Sequence, residues 1–407
     1  MTEAKRRPEF LFDPMSLLPS GLNLPAKGFL IFLFLPFPGR AEPADIEKTG
    51  WRPSRNRPRL QWTYKSKGAF SSPPIFISGR VVAGDREGEV SCLSARDGRK
   101  IWSRGFSNYC AARPSGDNGV IYISVSEKET WHELDKGSGL FRADPVLRRI
   151  IQMDGEIRAL DVARGRRIWH RRLPDPVHST PILAPDRLVV GCFDYKVYCF
   201  NRSDGRPIWD YKTGGPILTS PSLKDDRAFI GSSDGKIYCL GLKNGREIWS
   251  FSTGKQVSVP VVIGDGLIYA ASGNDHLYCL KENSGRPVWK YKASDSIPAA
   301  PTLMNNKIFL PVRDGTICCL SADKGELIWE KDLHNRVYSG PIVSSGRALI
   351  CDSDGKISCL EGETGRVYWE YNLFSNTPAW LNRRGDLILA AAGDGKIYCL
   401  KEETAGS

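Results

Sequence analysis

The sequence predicts an all-β fold: an eight-bladed β-propeller built from four-stranded antiparallel blades. Three observations carry that expectation. Trp62, Trp102, Trp169, Trp209, Trp249, Trp289, Trp329 and Trp369 stand 40 residues apart, except for one interval of 67. A glycine precedes seven of them by four residues, at Gly98, Gly165, Gly205, Gly245, Gly285, Gly325 and Gly365. An Asp-Gly or equivalent pair recurs between them, from Glu87-Gly88 and Asp154-Gly155 to Asp394-Gly395. A fixed period of this length signals units that must stack on one another to bury their apolar faces.

The unit beginning at Ser220 shows what one period encodes. An apolar stretch follows Pro221, and a polar turn lies at Lys224-Asp225-Asp226. Ala228-Phe229-Ile230 leads to the turn Ser233-Asp234-Gly235, and Lys236-Ile237-Tyr238-Cys239-Leu240 leads to Asn244-Gly245. Glu247-Ile248-Trp249-Ser250-Phe251 closes the unit. Four short β-favouring runs joined by such turns read as a meander, the size of one propeller blade. The glycine before the Trp supplies the positive φ of the turn between strands three and four.

Two defects in the period fit together. Trp62 has Pro58 where the glycine should be, and the last run, Lys396–Leu400, is followed by no Trp. The strand at Trp62-Thr63-Tyr64-Lys65 is therefore expected to complete the blade begun by residues 378–403, closing the ring and removing an exposed edge. A seven-bladed ring would leave half a blade unpaired at each end.

The first 59 residues differ in kind. Residues 29–37 are strongly apolar but far short of the roughly 20 residues that cross a bilayer. Lys27 in front and Gly39-Arg40-Ala41 behind give residues 1–41 the form of a secretory signal cleaved after Ala41. Met15 is an alternative start to Met1, and no Cys follows the apolar run, so a lipoprotein is not expected. Residues 42–59 form a basic, Pro-rich linker, and residues 60–407 the propeller. Periplasmic or secreted placement follows; the competing reading is a tail on a cytoplasmic propeller.

The formal charge is +11. Basic pairs at Arg166-Arg167, Arg171-Arg172 and Arg383-Arg384 could draw anionic lipid or other polyanions to the surface, leaving peripheral membrane association open. No nucleic-acid module accompanies them, and a solvated basic surface accounts for them as well. Seven of the 11 cysteines occupy one slot of strand three: Cys92, Cys199, Cys239, Cys279, Cys319, Cys359 and Cys399. A slot that also takes Ala159 wants a small buried group, which a reduced Cys provides. Pairings of Cys192 with Cys199, or Cys351 with Cys359, across a hairpin are the alternative. No Cys-x-x-Cys or His cluster indicates zinc.

The small residue, glycine and tryptophan pattern resembles the tryptophan-docking repeat of quinoprotein alcohol dehydrogenases, Ala-x-Asp-x-x-Thr-Gly-x-x-x-Trp. Its nearest forms here are Ala159-x-Asp161-x-x-Arg164-Gly165-x-x-x-Trp169 and Cys359-x-Glu361-x-x-Thr364-Gly365-x-x-x-Trp369. The resemblance is to the pyrroloquinoline-quinone-like (PQQ-like) propeller family, whose members include non-catalytic proteins such as outer-membrane protein assembly factor BamB. It implies the fold for residues 60–407, the Trp residues as structural docking groups, and one of two functions. A dehydrogenase would hold PQQ and Ca²⁺ in the central funnel. A BamB-like scaffold would bind an envelope protein and no cofactor.

The funnel loops help to choose. The segments 67–72, 107–113, 174–180, 214–220, 254–259, 294–300, 334–340 and 374–377 contain only Asp175 and Asp295 as acids. A Ca²⁺-quinone site needs carboxylates and a carboxylate base. The loops are richer in cations and polar groups, and His178, Lys255, His334, Arg336 and Tyr338 are the candidate ligand-binding residues there. No catalytic, cofactor or metal set is assembled. The long Trp interval holds an insertion at about 126–152, between strands two and three of the second blade. Its Trp131, His132, Phe141, Arg142, Arg148 and Arg149 are candidate partner-binding residues, since aromatics and Arg are what interfaces favour. A tolerated surface insertion is the bland alternative. The expected molecule is a monomeric, non-enzymatic propeller that binds a protein.

Overall fold

In the computed structural model, 32 strands form eight four-stranded antiparallel sheets. Residues 57–106, 112–126 and 154–402 are described. They lie in one compact unit, Arg52–Ser407. Seven sheets are consecutive meanders. The repeat that begins at Ser220 forms β14 (Ser222–Lys224), β15 (Arg227–Gly231), β16 (Lys236–Gly241) and β17 (Glu247–Ser252). The eighth sheet has the order β1 (Arg59–Lys65), β32 (Lys396–Lys401), β31 (Leu387–Ala392) and β30 (Ala379–Arg384). In it β1 pairs with β32, Trp62 facing Cys399 and Lys65 facing Lys396. Both ends of the ring thus build one blade, and the expected closure holds.

The core lies between blades. In β16, Ile237 and Cys239 pack toward the following blade with Val257, Ile268 and Ala270. Tyr238 and Leu240 pack toward the preceding blade with Val189, Val197 and Cys199. Both faces of the strand are buried, so the run is continuously apolar although side chains alternate.

The tryptophans fasten neighbouring blades together. Trp209 Nε1 donates to Leu242 O at 2.9 Å, and Trp249 Nε1 to Glu282 O at 2.9 Å. Trp62, Trp102, Trp169, Trp289 and Trp329 do the same to Ala95, Val162, Arg202, Ala322 and Gly362. Each ring also lies over the glycine of the following blade's turn. A β-carbon at Gly245 would stand 2.6 Å from the Trp209 ring, and Gly245 has φ +68°. The glycine is required twice, for its backbone and for the ring above it.

The small slot now has its reason. Cys239 is the cross-strand partner of Trp249, and Cys92, Ala159, Cys199, Cys279, Cys319, Cys359 and Cys399 face their own blade's Trp in the same way. Immediately beyond that pair the register shifts: Leu240 faces Glu247, leaving Ile248 as a bulge residue. A bulge of this kind re-aims the side chains next to it. It also explains why Ile101, Ile168, Ile208, Ile248, Val288 and Ile328 are exposed apolar residues around the rim. Ten cysteines in the described residues are buried free thiols. Burial pushes the Cys239 thiol up to about 12, so it is neutral and inert at ordinary pH. Cys318 and Cys319 lie in β24 (Thr316–Ser321), within a blade sheet.

At the closing seam the dock changes form. Trp369 Nε1 donates 3.0 Å to the carboxylate Oε1 of Glu402, whose Oε2 lies 2.5 Å from Arg383 Nη2. Glu402 and Arg383 are both largely buried, with side chains 6% and 11% exposed.

Gly245→Ala must strain the backbone and displace the Trp209 ring. It is expected to cost more than about 2 kcal/mol in urea unfolding. Gly266→Ala, at φ +75° with nothing within 4 Å of the added carbon, is expected to cost only about 1 kcal/mol. Equal losses would show that the ring contact contributes nothing.

Candidate functional site on the funnel face

Two kinds of loop meet on one face of the ring. One connects the outer strand of a blade to the inner strand of the next; the other joins strands two and three. Their backbones are tied together, as in Ser66 N to Gly395 O at 2.8 Å and Thr213 N to Tyr195 O at 2.8 Å.

The strand-two-to-three turns bring acids to this face that a reading of the funnel segments alone misses, and those acids are occupied. Asp85 is fully buried. It accepts from Ser66 Oγ at 2.5 Å, Gly68 N at 3.0 Å, and the backbone N–H groups of Glu87 and Glu89. Asp352, also buried, accepts from Asn335 Nδ2 at 3.1 Å and from the N–H groups of Asp354 and Lys356. Asp234 accepts from Tyr238 Oη at 2.6 Å, Gly214 N at 2.8 Å and Lys236 N at 2.9 Å. Asp394 accepts from Tyr398 Oη and Lys396 N, both at 2.9 Å. These carboxylates staple one loop to the next. Asp295 accepts from Ser296 N at 2.6 Å, and the backbone oxygen of Asp175 accepts from Cys192 Sγ at 3.2 Å.

The candidate ligand-binding residues are distributed over three inter-blade loops. His178 lies between the second and third blades, half-buried, its ring 4.6 Å from that of Phe193. Lys255, between the fourth and fifth, is exposed. His334, Arg336 and Tyr338 share the loop between the sixth and seventh. His334 is 81% exposed at φ +70°, its Nδ1 3.0 Å from Asp332 Oδ2. The His334 backbone N–H, donated to Asp332, holds that carboxyl below its usual range. Arg336 is exposed and Tyr338 half-buried.

Phe374 was not anticipated from the sequence. It is 71% exposed and adopts φ +52°. It occupies the loop position filled by Gly254 (φ +82°) and His334 in other blades. A large apolar side chain in a left-handed, solvent-facing glycine position was a legible signal of something other than folding.

The insertion candidates Trp131, His132, Phe141, Arg142, Arg148 and Arg149 lie outside the described residues. The flanks of the insertion are fixed. Ser126 pairs with Gly155 in the sheet, and Ser126 Oγ accepts from Val177 N at 3.0 Å. Val177 belongs to an inter-blade loop, so the insertion leaves from the funnel face.

These residues do not fit a Ca²⁺-quinone centre. Among the described residues no group of three or more His, Cys, Asp or Glu side chains converges to hold a metal, and Asp85, Asp234, Asp352 and Asp394 are engaged with turn N–H, amide or hydroxyl groups. Among the described residues, no helix is long and apolar enough to cross a membrane.

Eight four-stranded blades fastened by Trp docking define a PQQ-like repeat propeller. The sequence profile of the family described as outer membrane protein assembly factor BamB matches residues 54–141, 153–259 and 233–400. The chain belongs to that family. No curated protein matches it significantly. Among solved structures, BamB from Moraxella catarrhalis is 17% identical with a TM-score of 0.68, over 85% of this chain and 100% of that one. The computationally designed Ika8 protein is 11% identical with a TM-score of 0.70, over 84% and 99%. Quinohemoprotein alcohol dehydrogenase ADHIIG from Pseudomonas putida HK5 is 11% identical with a TM-score of 0.68, over 86% and 77%. At these identities the likeness is one of fold.

Burial lowers the His178 pKa from 6.5 to about 4. Above pH 6.5 the ring is neutral folded or unfolded. As pH falls toward 4 the unfolded chain takes up a proton that the folded ring refuses, so stability declines; below 4 the contribution is constant. His178→Gln is expected to remove up to about 3 kcal/mol of the stability lost between pH 7 and pH 4 in urea titrations. An unchanged pH dependence would place His178 in water.

Proposed function

We propose that this chain is a non-catalytic cell-envelope scaffold that binds a protein partner through its funnel face, with outer-membrane protein assembly as its setting. One observation carries the reading: Asp85, Asp234, Asp352 and Asp394 of that face are engaged as loop staples, while Phe374, Arg336 and Lys255 face solvent there. Phe374 and His334 are held outward at positive φ in neighbouring inter-blade loops, and Arg336 and Lys255 are exposed on the same face. Aromatic and Arg side chains on a rigid scaffold suit a protein interface. The insertion, whose flanking residues Ser126 and Gly155 lie on that face, contains further aromatic and Arg residues in its sequence. Membership of the BamB family supports the setting, and residues 1–41 would carry the chain to it as a cleaved signal.

The rival reading is a PQQ-dependent dehydrogenase with an atypical site, for which the fold shared with quinohemoprotein alcohol dehydrogenases speaks. Cross-linking capture from the native envelope separates the two. The scaffold reading predicts one dominant cross-linked protein. Deleting residues 128–150 is expected to leave the melting temperature nearly unchanged and to abolish capture. Undiminished capture would remove the insertion from the interface. Adding PQQ with Ca²⁺ is expected to give neither tight binding nor dye reduction, and saturable binding with turnover would overturn the scaffold reading.

A further inference from the structure

A cavity of about 400 Å³ opens where the inner strands of the eighth, first, second and third blades approach one another. Its walls are of two kinds. Ile75, Phe76, Ile182 and Leu183 make an apolar side. Arg113, Ser115, Arg383 and Arg384 make a polar one, and no carboxylate lines it.

The polar side is unfinished. Arg383 gives Nη2 to Glu402 at 2.5 Å and Nε to Gly385 O at 2.9 Å. Its Nη1 is buried with no partner. The Ser115 hydroxyl is likewise buried without a partner. Arg113 borders the cavity, with no carboxylate among the lining residues beside it. A buried donor left unmatched is costly, and native proteins rarely leave two around one void. A water could satisfy the orphaned hydroxyl or N–H; an oxyanion would satisfy it and also pair with the guanidinium groups that border the cavity.

We propose that this cavity binds a small organic oxyanion, a carboxylate or phosphate group carried on a short apolar body. The guanidinium groups of Arg113 and Arg383 take the oxyanion, for which their planar N–H forks are suited, and Ser115 adds a hydroxyl. Arg384 supplements the field from the rim. The body lies on Ile75, Phe76, Ile182 and Leu183. The volume is at the small end for ligand pockets, which admits a small molecule and excludes a folded element. Arg113 and Thr180 at the ends of two inter-blade loops border the site, but Phe374, His334, Arg336 and Lys255 do not line it, so ligand occupancy and partner capture are expected to be independent properties.

Calorimetric titration of the full chain at low ionic strength tests the proposal with octanoate, hexyl phosphate, inorganic phosphate and the neutral 1-hexanol. At least one of the two amphiphilic anions is expected to bind saturably, at least tenfold more tightly than inorganic phosphate and 1-hexanol; the tighter of the two identifies the headgroup. Arg113→Gln combined with Arg384→Gln is expected to weaken that binding at least tenfold without moving the melting temperature. On the unmodified chain, the bound anion is expected to protect Arg113 from phenylglyoxal, read by peptide mass. Absence of saturable binding by both anions at 10-millimolar ligand (roughly the weak limit of specific affinity), or labelling of Arg113 unaffected by bound anion, would overturn the assignment.

Discussion

The structure depends on one repeated contact: an indole N–H given to a carbonyl of the next blade, with the ring laid over a glycine that has no β-carbon to obstruct it. A four-stranded sheet with two apolar faces cannot exist alone in water. It needs a neighbour on each side at a fixed distance and angle. The Trp sets that spacing, and the rest follows from it. The residue facing the Trp across the sheet must be small, hence the cysteines and Ala159. The bulge beside it places one exposed apolar residue on the rim of six of the blades. At the seam Glu402 supplies a side-chain acceptor for Trp369 and is itself held by Arg383, so the joint at the closing blade carries a buried ion pair.

Periodicity made the fold legible. The even Trp intervals set the blade count, and the unmatched Trp62 showed the closure, because a break in a period is visible in sequence even when its two halves pair across the whole ring. The seven positive-φ glycines were legible for the backbone reason but not for the ring above them. That contact joins positions 36 residues apart, as in Trp209 and Gly245, or farther where the insertion intervenes, as in Trp102 and Gly165. The small slot was visible as a pattern, whereas its cause, the cross-strand Trp, appears only in the register.

The site was less legible for a related reason. Counting acids along the funnel segments identified Asp175 and Asp295 and passed over Asp85, Asp234, Asp352 and Asp394. Those four reach the same face from the strand-two-to-three turns. Their chemistry there is structural, since turn N–H groups and hydroxyls claim them. His178 looked like an available cation and is instead a half-buried neutral ring beside Phe193. The cavity among the inner strands of the eighth, first, second and third blades could not be read at all. Arg113 and Arg383 are neighbours only because the ring closes.

The account's central claim is that each Trp and the glycine beneath it in the next blade form a single energetic unit that holds two blades together. A double-mutant cycle tests it most directly. Trp249 packs on Gly285, whereas Gly325 lies under Trp289. Trp249→Phe combined with Gly285→Ala should be non-additive in urea unfolding by about 1 kcal/mol, and Trp249→Phe with Gly325→Ala should be additive within about 0.5 kcal/mol. Additivity in both pairs would contradict the claim and leave the tryptophans as independent core residues.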